Sequence, residues 1–365
     1  MMKTLIASTA FAIVLTACSN IKSETTDVVN NDQSKSSEPT KASQQSINPA
    51  KSNYELADEW MNYLTSDEMQ GRKTGSPQML EAQQWLIQQY QEIGIQPLPD
   101  QADYKQDFLA QTKDGELPAA NILGYLPCHC DSDRFIIIGA HYDHVGTNPS
   151  LEGDQIFNGA DDDASGVVTS LLIAKQLAKL QSLPFNVMIA AWDAEELGLL
   201  GSKHFVENPT LPLNQIESGF MFELVGTKGE KNTAWMTGSD YSSLFPTMQQ
   251  QLAQHGWTLG KDPFAEQGLF MRSDNAPFAL MDMTREKMVK VFREKQKVAM
   301  KGIPVHAISV WNGQNHYHQA NDDMTVIDVE NMTNLALAIA KVISDLPQDT
   351  QIKWLENSQF DFSRP

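Results

Sequence analysis

Short apolar runs in this chain are repeatedly followed, within a few residues, by acids or histidines. His141 and Asp143 come after the run at 135–138, and Glu195 and Glu196 come after the run at 187–192. Further segments of this kind are residues 161–163, 223 and 316–318. Buried acids are costly unless they are paired or bind a cation. The sequence therefore predicts a fold that gathers these side chains at the ends of strands, with enough ligands for two metal ions.

Apolar runs typical of strands alternate with helical patterns along the chain. The strand runs are 121–126, 134–139, 186–192, 219–224 and 305–310. Helical spacing of apolar residues marks 54–64, 76–94, 166–180 and 329–346. This alternation predicts an α/β domain in which a mostly parallel, mixed central sheet carries helices on both faces. In such sheets the functional site lies beyond the carboxyl ends of the strands.

Length and charge narrow the classes of function. At 365 residues the chain can form one large α/β domain. Its net charge of −19 argues against nucleic acid as a partner. Three cysteines do not form a disulfide framework.

The first of these cysteines lies in a segment with the pattern of a targeting signal. Lys3 precedes an apolar stretch at 5–15 that is too short to span a bilayer, and small residues lead to Cys18. This pattern resembles a bacterial lipoprotein signal, which implies that residues 1–17 are removed and that Cys18 is lipidated and binds the membrane. An ordinary signal peptide cut nearby is the alternative. The expected location is the cell envelope, at the outer membrane facing the periplasm in a Gram-negative cell, because no aspartate follows Cys18.

Composition also sets the domain boundaries. Residues 18–52 are polar and nearly free of large apolar side chains, which predicts a flexible tether. We expect the folded domain to cover 53–350 and a tail to cover 351–365.

The acidic and histidine segments suit metal chemistry to different degrees. Asp143 shares a face with His141 in extended chain and can fix one ring nitrogen while the other meets a metal. Three adjacent acids at 161–163 repel one another, and a helix dipole accounts for only one or two of them. Adjacent side chains diverge, so one residue of the pair Glu195 and Glu196 can bind metal while the other accepts a proton from water.

Four motifs occur in the order seen in M28 (aminopeptidase Y/PSMA-like) metallopeptidases, and the chain resembles that family over roughly residues 50–347. The motifs are His141-x-Asp143, Gly-Ala-Asp-Asp-Asp-Ala-Ser-Gly at 159–166, Glu-Glu-Leu-Gly-Leu-Leu-Gly-Ser at 195–202, and Tyr317-His318. The resemblance implies a zinc-exopeptidase-like (phosphorylase/hydrolase-like) architecture. It also implies a pair of Zn²⁺ ions, with other divalent ions open.

The resemblance assigns roles to individual residues. It implies that Asp162 bridges the metals, that Glu196 and His318 complete one site, and that His141 and Glu223 complete the other.

The remaining assignments concern the reaction. Glu195 resembles the general base, Asp143 the residue that orients His141, and Tyr317 a tyrosine that stabilises the oxyanion. Arg272 lies in a segment that resembles one beside the substrate pocket.

The expected function is that of a dizinc aminopeptidase acting on peptides with a free N-terminus. A glutaminyl cyclase-like acyltransferase with a single zinc, or a carboxypeptidase or dipeptidase on the same scaffold, is the alternative.

Several features differ from the family pattern or allow more than one interpretation. Glu223 stands where the family often has Asp. Residues 282–301 form an insertion that mixes basic and apolar side chains. We expect a solvated helix there, with a lid, a membrane-touching element or an insertion without function as alternatives.

Cys128 and Cys130 either bind a soft metal or sit in a loop between strands where the thiols can pair. His144 and His316 are interpreted as supporting residues near the site or as neutral ones.

Overall fold

The computed structural model describes residues 51–281, 283 and 285–363. The strands are β1 (Gln96–Pro97), β2 (Lys105–Thr112), β3 (Gly115–Leu126), β4 (Phe135–His141), β5 (Asn186–Trp192), β6 (Ile216–Phe222), β7 (Thr233–Met236), β8 (Thr258–Lys261), β9 (Lys297–Ala299), β10 (Val305–Ser309) and β11 (Gln359–Asp361). The α-helices are α1 (Asn53–Leu64), α2 (Pro77–Ile93), α3 (Ser165–Leu177), α4 (Leu200–Glu207), α5 (Leu244–Gln254), α6 (Ala276–Ala279), α7 (Arg285–Arg293) and α8 (Val329–Asp345).

The central sheet has nine strands in the order β1-β3-β5-β4-β6-β10-β7-β8, with β2 also paired to β3. Its four middle strands, from β5 to β10, run parallel. Antiparallel pairs join β3 to β5 on one side and β7 to β10 on the other. The predicted mixed α/β sheet is confirmed, and its parallel part is the centre.

The middle strands are apolar throughout because both faces of the sheet are covered. All seven residues of β4 and of β5 are buried. Alternate side chains point to opposite faces of a strand. Accordingly, Ile136 and Ile138 pack in a core with α1, α2, α3, α5 and α8, whereas Ile137 packs on the other side with Phe205 of α4 and Phe278 of α6.

The topology places the predicted site residues at one edge of the sheet. The parallel strands β4, β5 and β6 end at His141, Trp192 and Phe222, so their following loops lie side by side. The acidic segment 161–163 lies in the long connection from β4 to α3. The residues after β10 complete this edge.

The insertion at 282–301 and the segment predicted as a tail pack against each other. The insertion contains α7 and β9, and β9 pairs antiparallel with β11 near the end of the chain. Val291, Met300 and Phe362 are buried in one cluster, and the Trp354 Nε1–H donates to the Gly302 carbonyl over 2.7 Å. The helix expected in the insertion is therefore present, and residues 351–363 form part of the folded domain.

Three further observations concern the rest of the chain. The signal peptide at 1–17, Cys18 and the tether up to residue 50 lie outside the described residues. Within the described residues, no helix is both long and apolar enough to cross a membrane. Cys128 and Cys130 form a disulfide in the connection between β3 and β4.

Candidate metal centre

The five predicted metal ligands converge at the carboxyl edge of the sheet. His141 Nε2 lies 3.1 Å from Asp162 Oδ1 and 3.6 Å from Glu223 Oε1. His318 Nε2 lies 2.9 Å from Glu196 Oε2 and 3.3 Å from Asp162 Oδ2. The two carboxylate oxygens of Asp162 therefore face different histidines, an arrangement in which one carboxylate can contact two cations.

The donor atoms form two groups, each with all its ligand atoms within 4.8 Å of one another: His141, Asp162 and Glu223 in one, and His144, Asp162, Glu196 and His318 in the other. Five of these atoms are buried and have no hydrogen-bond partner in the described part of the chain: His141 Nε2, His144 Nδ1, Asp162 Oδ2, Glu196 Oε1 and His318 Nε2. Leaving such atoms unpaired costs about 1–3 kcal/mol each. Imidazole nitrogens and carboxylate oxygens are also the ligands that Zn²⁺ takes in proteins. The donor set thus fits divalent cations such as zinc.

The three adjacent acids have three different environments. The backbone N–H of Gly226 donates to Asp161 Oδ1 over 2.8 Å, and that of Leu224 donates to Asp163 Oδ1 over 3.3 Å. These bonds tie the acidic loop to the chain that follows β6. Of the three carboxylates, that of Asp162 is the one directed at His141 and His318.

The pKa values of two of these acids are shifted in opposite directions. Burial raises the pKa of Asp163 well above its usual value, and the charge of Glu223 adds to this effect. Burial acts on Asp162 in the same direction, but the close contacts and charges of nearby histidines, His141 and His318 among them, hold its pKa well below the usual value. The surroundings therefore favour the charged form of Asp162 more than that of Asp163, and a carboxylate ligand binds metal in its charged form.

A buried arginine that the sequence did not reveal connects the loops of the site. The Arg72 guanidinium donates to the carbonyl oxygens of Tyr142 at 2.9 Å, Asn158 at 2.7 Å, Gly159 at 2.9 Å and Leu64 at 2.7 Å. These bonds join the loop after β4 to the residues before the acidic segment. A single arginine between two helices has no periodic signal, so its role became visible only in the fold.

Asp322 is a second residue that sequence reasoning missed. Its carboxylate accepts hydrogen bonds from the backbone N–H groups of Asp161 at 2.8 Å and Asp162 at 3.0 Å. Burial, together with the charges of Asp161 and Asp162, raises the pKa of Asp322 to about 7. His316, interpreted as a supporting or neutral residue, lies with Nε2 2.8 Å from Asp161 Oδ2, behind the donor groups. In the sequence, the adjacent acids at 322–323, shortly after His318, could have indicated that Asp322 belongs to the site.

Asp143 orients both His141 and the two glutamates. Its carbonyl oxygen lies 3.0 Å from His141 Nδ1, whereas its carboxylate is 3.6 Å from that nitrogen. The carboxylate instead accepts hydrogen bonds from the backbone N–H groups of Glu195 at 3.0 Å and Glu196 at 3.3 Å. The predicted contact with His141 is thus made more closely by the main chain, and the side chain positions the glutamate pair.

Glu195 lies beside the donor groups without belonging to either of them. Its side chain is half-buried, and burial raises its pKa well above the usual value. The charges of Glu223 and Asp274 act in the same direction, while His141 opposes them. A carboxylate in such surroundings is a stronger base than an ordinary glutamate.

A cavity of about 80 Å³ adjoins the centre on the side of Glu223. Its lining is mainly apolar and includes Leu224, Trp235, Leu269, Ala307 and Trp311, with Arg272, Glu223 and Tyr317 among the polar residues. The Tyr317 ring stacks on His318 at 3.9 Å between centroids. Burial raises the pKa of Tyr317, so its hydroxyl stays protonated and can donate a hydrogen bond.

A mixed sheet with two groups of metal-type donors at its carboxyl edge is the framework of a metal-dependent α/β enzyme. Comparison with models of protein families identifies the class of enzyme. Residues 121–343 match the profile of peptidase family M28, and the chain belongs to that family.

Individual relatives agree with this assignment. The chain is 34% identical over 113 residues to aminopeptidase YwaD of Bacillus subtilis, covering 30% of this chain and 23% of the relative. It is 26% identical over 239 residues to a probable leucine aminopeptidase 2 of Aspergillus fumigatus, covering 59% and 43%. The matched segments thus span less than half of these relatives.

Solved structures with similar folds include two enzyme types. Glutaminyl cyclase from Porphyromonas gingivalis has a TM-score of 0.59 at 22% identity, covering 80% of this chain and 96% of that one. A Zn-dependent exopeptidase from Parabacteroides distasonis has a TM-score of 0.58 at 18% identity, covering 80% and 98%. At these identities the likeness establishes the fold and leaves the reaction open.

Proposed function

We propose that this M28 metallopeptidase is an aminopeptidase that uses two zinc ions and removes residues from peptides with a free N-terminus. The observation that carries the proposal is the placement of Asp162, whose two oxygens face separate histidines. Family membership supports a peptide substrate.

The donor groups indicate which residues would hold the ions. Asp162 would bridge them, with Glu196 and His318 on one side and His141 and Glu223 on the other. When bound, such ions polarise the scissile carbonyl and acidify the attacking water. Glu223 offers a carboxylate where the family often has Asp, and its oxygen lies within the His141 group.

The proposed reaction needs a group that carries a proton from the attacking water to the leaving amine, and Glu195 would be that group. Its carboxylate would take a proton from the attacking water as the new C–O bond forms, and would deliver that proton to the amine nitrogen as the C–N bond breaks. The Tyr317 hydroxyl would donate a hydrogen bond to the carbonyl oxygen as that oxygen gains negative charge. Asp143 would keep Glu195 in position through its hydrogen bond to the backbone.

The cavity beside Glu223 would receive the first side chain of the substrate. Tryptophans at 235 and 311 make its wall apolar, which favours an apolar N-terminal residue. The acids of the centre would attract the protonated α-amine. Arg272, exposed at the cavity, would contact the peptide beyond the first residue.

We also propose that the enzyme is anchored to the cell envelope through lipidated Cys18. The support is the apolar stretch at 5–15, the small residues before Cys18, and the polar residues that follow. A tether of this composition would let the catalytic domain stand away from the membrane surface.

Glu195→Gln tests the proposed mechanism because it removes the base and leaves every proposed ligand in place. We expect the variant to keep close to two zinc ions per chain. Turnover of leucine p-nitroanilide should fall by a factor of about 10² or more, the usual contribution of a positioned base. Metal content by mass spectrometry and initial rates give the two readouts. Glu207→Gln on the exposed face of α4 is the matched control and should change neither.

The outcomes separate the parts of the proposal. Normal turnover of Glu195→Gln would show that this residue is not the base. Cleavage of N-acetylated peptides, with free aminoacyl substrates left intact, would contradict aminopeptidase action and favour a carboxypeptidase or another peptidase.

Glutaminyl cyclisation is the second candidate, since cyclases share this fold at 80% coverage of the chain. One zinc ion per chain and conversion of an N-terminal glutamine to pyroglutamate would favour it over peptide hydrolysis.

A further inference from the structure

His144 is the buried histidine of the centre that the assigned ligand set leaves out. It lies in the loop after β4, three residues beyond His141 at the end of that strand, and its backbone N–H donates to the Arg72 carbonyl over 3.2 Å. Its ring packs against Gly159, where an added Cβ would lie 2.7 Å from two ring atoms. Backbone and packing therefore hold the ring in one place, with about 1% of the residue exposed.

The ring nitrogens of His144 face ligand atoms rather than ordinary partners. Nδ1 lies 2.9 Å from Glu196 Oε1 and 3.7 Å from Asp162 Oδ2. Within the described ranges both ring nitrogens are buried without a hydrogen-bond partner, and the contact of Nδ1 with Glu196 is within ion-pair distance. Glu196 presents its other oxygen, Oε2, to His318 at 2.9 Å, so the carboxylate lies between two imidazoles.

Two other buried histidines show what a structural role looks like in this protein. His306 has both nitrogens satisfied, by Ser242 Oγ at 2.7 Å and by the Thr237 carbonyl at 2.8 Å. His316 is hydrogen-bonded to Asp161. A neutral imidazole buried without such partners is costly, and a bound cation relieves that cost by taking the nitrogen lone pair.

We infer that His144 is a further metal ligand, binding through Nδ1 on the side of Glu196 and His318. This inference rests on the proposed function. With His144 included, the site that contains Glu196 and His318 has two imidazoles and two carboxylates as ligands. The site that contains His141 has one imidazole and two carboxylates.

Four protein donors are typical of closed zinc sites and three of sites that keep a position for water or substrate. The two sites should therefore differ in affinity, with the His144 side filled first and the His141 side left open for chemistry.

Stepwise loading of metal-free protein tests the inference. In the wild type, competition with a chromophoric chelator should resolve a tight and a weak Zn²⁺ step. Loss of a residue that only hydrogen-bonds to a metal ligand weakens metal binding about 10- to 100-fold. Because His144 would bind the metal itself, we expect His144→Gln to weaken the tight step by about 100-fold. The burial-matched control His306→Gln should leave both steps unchanged, and circular dichroism of the metal-free variants verifies folding.

A measurement on the wild type keeps the inference testable if the variant does not fold. Protein loaded with one equivalent of Co²⁺ or Zn²⁺ should show two imidazole ligands by X-ray absorption, from His144 and His318. One imidazole, or an unchanged tight step in a folded His144→Gln, would overturn the inference while leaving the dizinc proposal intact. A wild type that binds no second ion would instead overturn the dizinc proposal.

Discussion

A buried histidine away from the metal centre gives this protein a defined pH dependence at the scale of one residue. Burial lowers the pKa of His306 to about 4, from an ordinary value of 6.5. The folded state therefore binds a proton at His306 less readily than the unfolded chain does. Stability from this residue is complete above pH 6.5 and is lost as the pH falls toward 4.

We predict that His306 makes the protein lose about 3 kcal/mol of unfolding free energy between pH 8 and pH 4. Acids such as Asp193 and Asp274, whose pKa values are raised to about 7 by burial, act in the opposite direction. The difference between the wild type and His306→Gln isolates the histidine. Urea denaturation of both proteins across this range measures it, and a difference independent of pH would contradict the prediction.

The resemblance to the M28 family assigned the five proposed ligands, but it did not assign the histidines beside them. His144 and His316 each lie within three residues of a proposed ligand, and nothing in the sequence distinguishes their roles. In the fold His144 faces Glu196 and His316 faces Asp161. Side-chain direction depends on the local backbone of loops, and loop conformations such as the positive φ of His318 have no periodic signal.

At the scale of elements, helix α4 packs closely against the sheet at Gly201, where a side chain would not fit. A Cβ on Gly201 would lie 2.2 Å from the Asp193 carbonyl oxygen and 2.4 Å from Asn121 Oδ1. The Gly201 carbonyl itself accepts a hydrogen bond from Asn121 Nδ2 at 2.9 Å. The first turn of α4 is thus in direct contact with the chain that leads from β5 to Glu195.

Gly201→Ala should therefore lower the unfolding free energy by about 1–3 kcal/mol, the usual cost of overpacking. It should also weaken metal binding, since the shift displaces the segment that carries Glu196. Gly260→Ala is the control, because a Cβ there meets its nearest atom at an ordinary 3.7 Å. Urea denaturation and zinc titration measure both effects. Equal stability of the two variants would show that α4 adjusts freely.

Elements with a strong local pattern were predicted well, and those that depend on distant partners were not. The buried run at 186–192 coincides with β5, and the pattern at 329–346 with α8, which ends at Asp345. By contrast, the pairing of β9 with β11 joins the insertion to the chain end. Neither strand exceeds three residues, so neither has enough length for a periodic signal.

For the whole molecule, we expect the acids of the centre to make stability depend on bound metal. A net charge of −19 already disfavours the compact state, and the centre adds buried carboxylates that include Asp162, Asp163 and Glu223. Cations that bind the folded state alone shift the equilibrium toward it. The energy of folding and the energy of metal binding are therefore linked in this protein.

Removal of metal by a chelator should lower the melting temperature by about 5 °C or more, since each site held at 100 times its Kd adds about 2.7 kcal/mol. Differential scanning calorimetry of zinc-loaded and chelated protein measures the shift, and returning Zn²⁺ should restore it. Glu195→Gln should retain the full shift because that residue lies outside both donor groups. Asp162→Asn should lose most of it, because Asp162 belongs to both groups. If chelation removed zinc from the wild type without changing its melting temperature, the donor groups would not be what stabilises the folded state.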